Sequence, residues 1–143
     1  MLICIFGESC TGKTTLAQRL LPYCKATLYH GKDYLRLAKS EAEAKQKFRA
    51  LLENAANGDS NIIFVTTEKE NLSLLPEHCV RILVTAPLPV IQERFAKRMG
   101  GTLPPPVAAM LERKHGSFDH EPHDLLVENG QEDFDAILRL LRR

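Results

Sequence analysis

Apolar residues first gather in the run Leu2-Ile3-Cys4-Ile5-Phe6, which ends on Gly7. A run of this length without polar alternation predicts a strand buried on both faces, as in a parallel sheet. The period then changes. Leu16, Leu20 and Leu21 recur at helical spacing and predict a helix from about Gly12 to Leu21, stopped by Pro22. Ala26 to Tyr29 predicts a short second strand. From Asp33 to Asn54, Leu37, Phe48, Leu51 and Leu52 stand among many Ala, Lys and Glu. This pattern predicts one solvated helix, closed by the turn residues Asn57-Gly58-Asp59. Ile62 to Val65 and Val80 to Val84 are short β-branched runs and predict two further strands.

The second half continues the alternation. Val90 to Met99 predicts a helix capped by Gly100-Gly101. Three prolines hold Thr102 to Pro106 extended, and Pro106 opens the next helix, Val107 to about His115. Asp124 to Val127 predicts a last strand with Asn129-Gly130 as its turn, and Phe134, Ile137, Leu138 and Leu141 mark a closing helix. Strands alternating with helices imply an α/β fold, a parallel sheet with helices on both faces. No repeat or linker divides the 143 residues, so residues 1–143 read as one domain.

Composition narrows the class. With 44% hydrophobic and 26% charged residues the chain can build a core, which excludes disordered and coiled-coil classes. A net charge of +1 gives no bulk attraction to a nucleic acid polymer or a membrane. No apolar run approaches the roughly 20 residues of a membrane span, and the N-terminus lacks the basic region of a signal peptide. Cys4, Cys10, Cys24 and Cys79 form no C-x-x-C pair, as expected of reduced, buried thiols in a cytoplasmic protein. His115, His120 and His123 are interrupted by Gly116 and Pro122 and share no helical face, which favours a polar loop over a zinc site.

The chemistry is concentrated in Gly7-Glu8-Ser9-Cys10-Thr11-Gly12-Lys13-Thr14, which fits G-x-x-x-x-G-K-[ST] between a predicted strand and helix. Small residues let successive backbone N–H groups curl around phosphates, and the helix N-terminus adds its partial positive charge. Lys13 would reach the β- and γ-phosphates of ATP and the Thr14 hydroxyl would ligate Mg²⁺. Thr15 completes the candidate nucleotide-binding set, Gly7 to Thr15.

With this loop, the order of elements resembles the nucleoside-monophosphate kinase and shikimate kinase group of P-loop kinases. The likeness covers nearly the whole chain in outline, while only the loop is a specific motif. It implies a three-layer P-loop NTPase fold with a five-stranded parallel sheet in the order 2-3-1-4-5. It also implies an acceptor-binding segment at about 31–58 and a mobile lid at about 94–115. Arg94 and Arg98 lie four apart and so share a helix face. Guanidinium forks match phosphoryl oxygens, and the resemblance gives that role to Arg94, Arg98 and Arg113. A solvated basic helix would look the same.

Asp33 falls where shikimate kinase-like members of this group place an acidic residue, suited to general-base work on an acceptor hydroxyl or to holding Mg²⁺ through water; the other reading is a helix N-cap. Tyr34 and Arg36 would stack on or clamp the acceptor. Ile62 to Val65 is followed by Thr66-Thr67-Glu68, so a carboxylate arrives later than the Asp that usually ends such a strand. Glu68 therefore reads either as an acidic site residue or as a surface glutamate. The stretch Val127-Glu128-Asn129-Gly130 falls at the group's adenine pocket, with Asn129 as a candidate base-reading position. The chain lacks the D-G-x-P-R stretch of adenylate kinases, the glycine triplet of shikimate kinases and the S-R…T-T-R pattern of guanylate kinases. The acceptor therefore stays unnamed. The expected function is transfer of the ATP γ-phosphoryl, with Mg²⁺, to a nucleotide or small hydroxyl metabolite. The alternatives are a nucleotide-binding protein without turnover and a slow NTPase switch.

Overall fold

Strand β1 (Leu2–Phe6) is buried along its whole length, and its side chains alternate between two cores. Leu2, Cys4 and Phe6 pack with Phe48 and Phe64, whereas Ile3 and Ile5 pack with Leu16, Ala17 and Leu20 of helix α1 (Lys13–Cys24). A central strand with helices on both faces has no solvent-facing position, hence the unbroken apolar run. The computed structural model describes residues 1–128 and 134–142; Asn129 and the Asn129-Gly130 turn lie outside the described residues.

Parallel strands β2 (Thr27–His30), β3 (Ile62–Thr66), β4 (Val80–Thr85) and β5 (Leu125–Glu128) complete a five-stranded sheet in the order β2-β3-β1-β4-β5. The topology is the one the resemblance implies. Because β1 lies between β3 and β4, the loop leaving it sits where successive crossovers diverge, the usual ligand position in such sheets.

Several elements differ from those predicted. Pro22 does not stop α1, which runs to Cys24 and ends at Lys25 in a left-handed conformation (φ 48°), its N–H bonded to Leu21 O at 2.9 Å. A proline forfeits one backbone bond; burial of Cys24 against the α1-side core offsets it. The single helix predicted from Asp33 to Asn54 is two pieces, a 3-10 turn over Asp33–Leu37 and helix α2 over Glu41–Ala56. The break is made by Ser40, whose Oγ accepts from the Glu43 N–H at 3.2 Å, half of the Ser-x-x-Glu capping pattern at Ser40 to Glu43. A further 3-10 segment, Lys69–Leu74, follows β3 and buries Asn71, Leu72 and Leu74.

Helix α3 (Leu88–Arg98) begins two residues before the predicted start, and α4 (Pro105–Lys114) opens on Pro105. Prolines fit the first turn of a helix, where N–H groups lack partners in any case. The two helices share a small third core, in which Ile91, Leu111 and Ala86 close over Cys10. The loop after β1 is thus packed directly against the segment expected to act as a lid. Helix α5 (Phe134–Leu141) covers the α1-side core with Ile137.

Candidate active site

Gly7 leaves β1 with φ 149°, and a Cβ at this position would stand 2.2 Å from Val84 O on β4. Only glycine lets the loop start so close to the neighbouring strand. The chain then turns through left-handed conformations at Cys10 (φ 62°) and Gly12 (φ 104°). Alternating hands of this kind aim consecutive N–H groups into one concavity, an anion-binding nest. The left-handed Cys10 costs on the order of 1 kcal/mol. It is held there by its apolar contacts and by Arg94, whose Nη1 donates to Cys10 O at 3.0 Å.

Lys13 opens α1 with its side chain folded back into the loop, donating to Glu8 O and lying 3.4 Å from Thr11 Oγ1. The residue is 5% exposed. Burial lowers its pKa to about 8; the Cys10 thiol opposes that shift, the Arg98 guanidinium adds to it and the Glu8 carboxylate opposes it. The hydrogen-bond partners of Lys13 are neutral oxygens, and a desolvated ammonium so placed attracts an anion more strongly than a surface lysine does.

The loop floors a cleft of about 250 Å³ lined by Ser9, Cys10, Gly12, Lys13, Thr14 and Thr15, the β2 end at His30 and Gly31, the β3 end at Val65 to Thr67, and Arg98. Thr66 is fixed at its rim by bonds to Oγ1 from Asn71 Nδ2 at 2.9 Å and from the Glu68 N–H at 3.1 Å. A neighbouring cavity of about 620 Å³ shares Ser9 and Thr67 with this cleft and adds Glu8, Glu68, Lys69, Glu70 and Lys114 over an apolar wall of Met110, Leu111 and Phe118. On the other side of the loop, Thr11, Gly12, Thr15, Leu16, Val84, Arg94 and Val127 line a cavity of about 270 Å³.

The structure therefore gathers Ser9, Cys10, Gly12, Lys13, Thr14, Thr15 and Arg98 at one cleft, whereas Glu8 lines the neighbouring cavity and Thr11 the cavity on the other side of the loop. The other expected site residues divide. Arg94 braces the loop backbone. Asp33 lies beside the cleft rather than in its lining, and its Oδ2 accepts from the His30 N–H at 3.0 Å. That bond also corrects the N-cap reading, since α2 is capped by Ser40. Tyr34 is 1% exposed and stacked on Phe48 with ring centroids 5.0 Å apart, so it belongs to the core and does not line the loop cleft. Arg36 and Arg113 are exposed and do not line the loop cleft. Glu68 turns to the second cavity, where a hydrogen bond with Glu70 raises its pKa and Lys32 Nζ stands 3.7 Å away.

Two features escaped the sequence reading. His30 lines the cleft, and β-strand alternation was the available signal, since His30 follows Leu28 on the α1 side of the sheet. The side chain of Glu8 reaches across to the end of α4, accepting from the Gly116 N–H at 3.2 Å and lying 3.1 Å from His115 Nδ1; no sequence spacing announces that contact.

No protein-family model matches the sequence, and neither does any curated protein. Solved structures do match. Shikimate kinase from Bacteroides thetaiotaomicron superposes with a TM-score of 0.63 over 100% of this chain and 99% of that one, at 12% identity. The chain carries the P-loop kinase fold. The same P-loop kinase fold relates it to the YorR protein of Bacillus subtilis in complex with phosphorylated GDP (TM-score 0.62, 19% identity, 99% and 96% of the two chains). A gluconokinase from Sinorhizobium meliloti matches at TM-score 0.54 and 14% identity over 96% and 87%. Among the described residues no helix is long and apolar enough to cross a membrane.

Proposed function

We propose that the protein is an ATP-dependent kinase that moves the γ-phosphoryl group to a small acceptor. The observation that carries this reading is the buried Lys13 ammonium at the floor of a cleft that Arg98 closes from α3. Two cations at one concavity built on a phosphate nest suit a transferring phosphoryl group, whose charge spreads over three oxygens. The kinase neighbours support the same reading.

The residues fit the nucleotide and its metal. The loop amides and Lys13 would hold the phosphates. The exposed Thr14 hydroxyl in the first turn of α1 would ligate Mg²⁺, which would supply charge neutralisation at the β- and γ-phosphates. The cavity between Arg94, Val84 and Val127 extends from the loop on the side suited to the rest of the nucleotide. The acceptor would enter through the larger cavity, which meets the phosphate cleft at Ser9 and Thr67. Lys13 and Arg98 would act mainly by position and charge. The neighbours include a shikimate kinase in complex with shikimate and a gluconokinase, which favours a small hydroxyl compound as acceptor.

One observation favours a nucleotide-binding protein without turnover: among the described residues lining the loop cleft there is no carboxylate. ADP formation from ATP and Mg²⁺, measured across nucleoside monophosphates, shikimate and sugar acids, decides between the two. Acceptor-dependent ADP with a phosphorylated product establishes the kinase. Tight ATP binding with no acceptor-dependent ADP establishes the binder.

A further inference from the structure

The loop cleft contains four side chains that ionise, Cys10, Lys13, His30 and Arg98. Lys13 and Arg98 are the cations of the phosphate site. Cys10 is 6% exposed and packed under Ile91 and Leu111. The carboxylates expected to serve the acceptor lie elsewhere: Asp33 bonds the His30 backbone, and Glu68 pairs with Lys32 in the neighbouring cavity. Among the described residues lining this cleft, His30 is the imidazole, a ring whose nitrogens can accept as well as donate a proton.

Its placement follows from the sheet. His30 pairs in register with Val65, and Val65 and Leu28 both belong to the core under α1. Strand alternation therefore sends the His30 side chain to the α1 face, one step beyond Leu28 toward the phosphate loop. The backbone around it is pinned from both sides. Gly31, left-handed at φ 51°, donates its N–H to Val65 O at 2.7 Å, while Asp33 Oδ2 takes the His30 N–H at 3.0 Å. Asp33 thereby acts as a positioning residue for the end of β2.

We propose that His30 is the general base of the transfer, a role that rests on the kinase reading above. Its imidazole takes the proton of the acceptor hydroxyl as that oxygen bonds to the γ-phosphorus of ATP. The bond from the γ-phosphorus to the β,γ-bridging oxygen breaks, and the electron pair leaves with ADP. The imidazolium then returns its proton to solvent. Imidazole is suited to this work because it gains and loses a proton near neutral pH. Arg98, Lys13 and the Cys10 thiol share its cleft, and Asp33 stands behind its backbone.

The test separates His30 from Asp33. Asparagine at residue 33 keeps an oxygen that accepts the His30 N–H but cannot act as a base; asparagine at residue 30 removes the imidazole. His30→Asn is expected to lower kcat with the acceptor by about a hundredfold or more, the usual weight of a general base, with ATP Kd within threefold of wild type. Asp33→Asn is expected to keep kcat within about fivefold. The reverse ranking makes Asp33 the base and overturns the proposal, as does a His30→Asn protein with wild-type kcat. A separate arm follows the His30 imidazole signal by NMR as ATP and Mg²⁺ are added. A clear shift is expected, and an unmoved signal also overturns the proposal. If wild type forms no acceptor-dependent ADP although the signal moves, the kinase reading fails with the base role, while His30 keeps its place in the phosphate cleft.

Discussion

Glu8 Oε1 lies 3.1 Å from His115 Nδ1, which ties the second residue of the loop after β1 to the far end of α4. The companion bond from the Gly116 N–H to Glu8 Oε2, at 3.2 Å, makes the tie a two-point clasp. The Glu8 side chain is only 10% exposed, so the carboxylate is largely withdrawn from water and its two partners matter energetically. Loop and helix pair are therefore one mechanical unit on this side of the cleft.

Glu8→Ala should lower stability by about 1.5–3 kcal/mol, the range for hydrogen bonds to a charged group, and speed amide exchange at Gly116. His115→Ala should cost less, because the Gly116 bond survives it. Unchanged exchange at Gly116 in Glu8→Ala would show that the clasp does not hold the end of α4 in solution.

On the proposed reading, Lys13 should make nucleotide binding pH-dependent in a defined direction. In the free protein its pKa is lowered to about 8 from 10.5, so the folded chain releases this proton before the unfolded chain does. Below about pH 8 the ammonium is charged and its burial penalty is fully present. Between pH 8 and 10.5 this group makes the unliganded fold more stable as pH rises, while the cation needed by the phosphates disappears. ATP affinity should therefore fall above pH 8 by up to about tenfold per pH unit. Calorimetric titration across pH 7–10 checks this, and Lys13→Ala should bind weakly with that slope removed.

Arg94 and Arg98 share a helix but are predicted to separate in function. Arg98→Ala should keep ATP affinity within a few-fold and cut acceptor phosphorylation by on the order of a hundredfold, the pattern of a charge used mainly in the transition state. Arg94→Ala should instead weaken ATP binding, because its guanidinium supports the Cys10 carbonyl that shapes the loop. Steady-state kinetics beside direct binding measurements distinguish the two, and equal binding losses would make Arg98 a ground-state anchor.

Gly7→Ala should be among the most damaging small substitutions in the chain. The added Cβ would meet Val84 O at 2.2 Å in a backbone conformation that L-residues avoid, and strain plus overpacking together cost about 3 kcal/mol or more. Thermal melting checks this. Gly58→Ala meets nothing within 4 Å and carries the backbone strain alone, so it should cost markedly less.

Much of this architecture is legible in the sequence because it rests on local physics. The unbroken Leu2–Phe6 run has no solvent-facing residue, and alternating strands and helices imply the parallel sheet. Gly7 to Thr14 announces its loop because such a loop is built from consecutive residues whose backbone conformations depend on glycine. Ser40 to Glu43 also carried a local signal, a capping pattern that divides the helix predicted from Asp33 to Asn54.

What the sequence by itself determined is therefore the fold class, the loop and the identity of its lysine and threonines. Only the tertiary structure decided which distant side chains meet them. It sent Tyr34 into the core against Phe48, turned Glu68 toward Lys32, and left Asp33 holding the end of β2. It also brought His30 and Arg98 to the loop from separate elements. The reason is physical: hydrophobic periodicity specifies which face of an element is buried, whereas a site made across elements depends on register, crossover and helix packing, which no local spacing encodes.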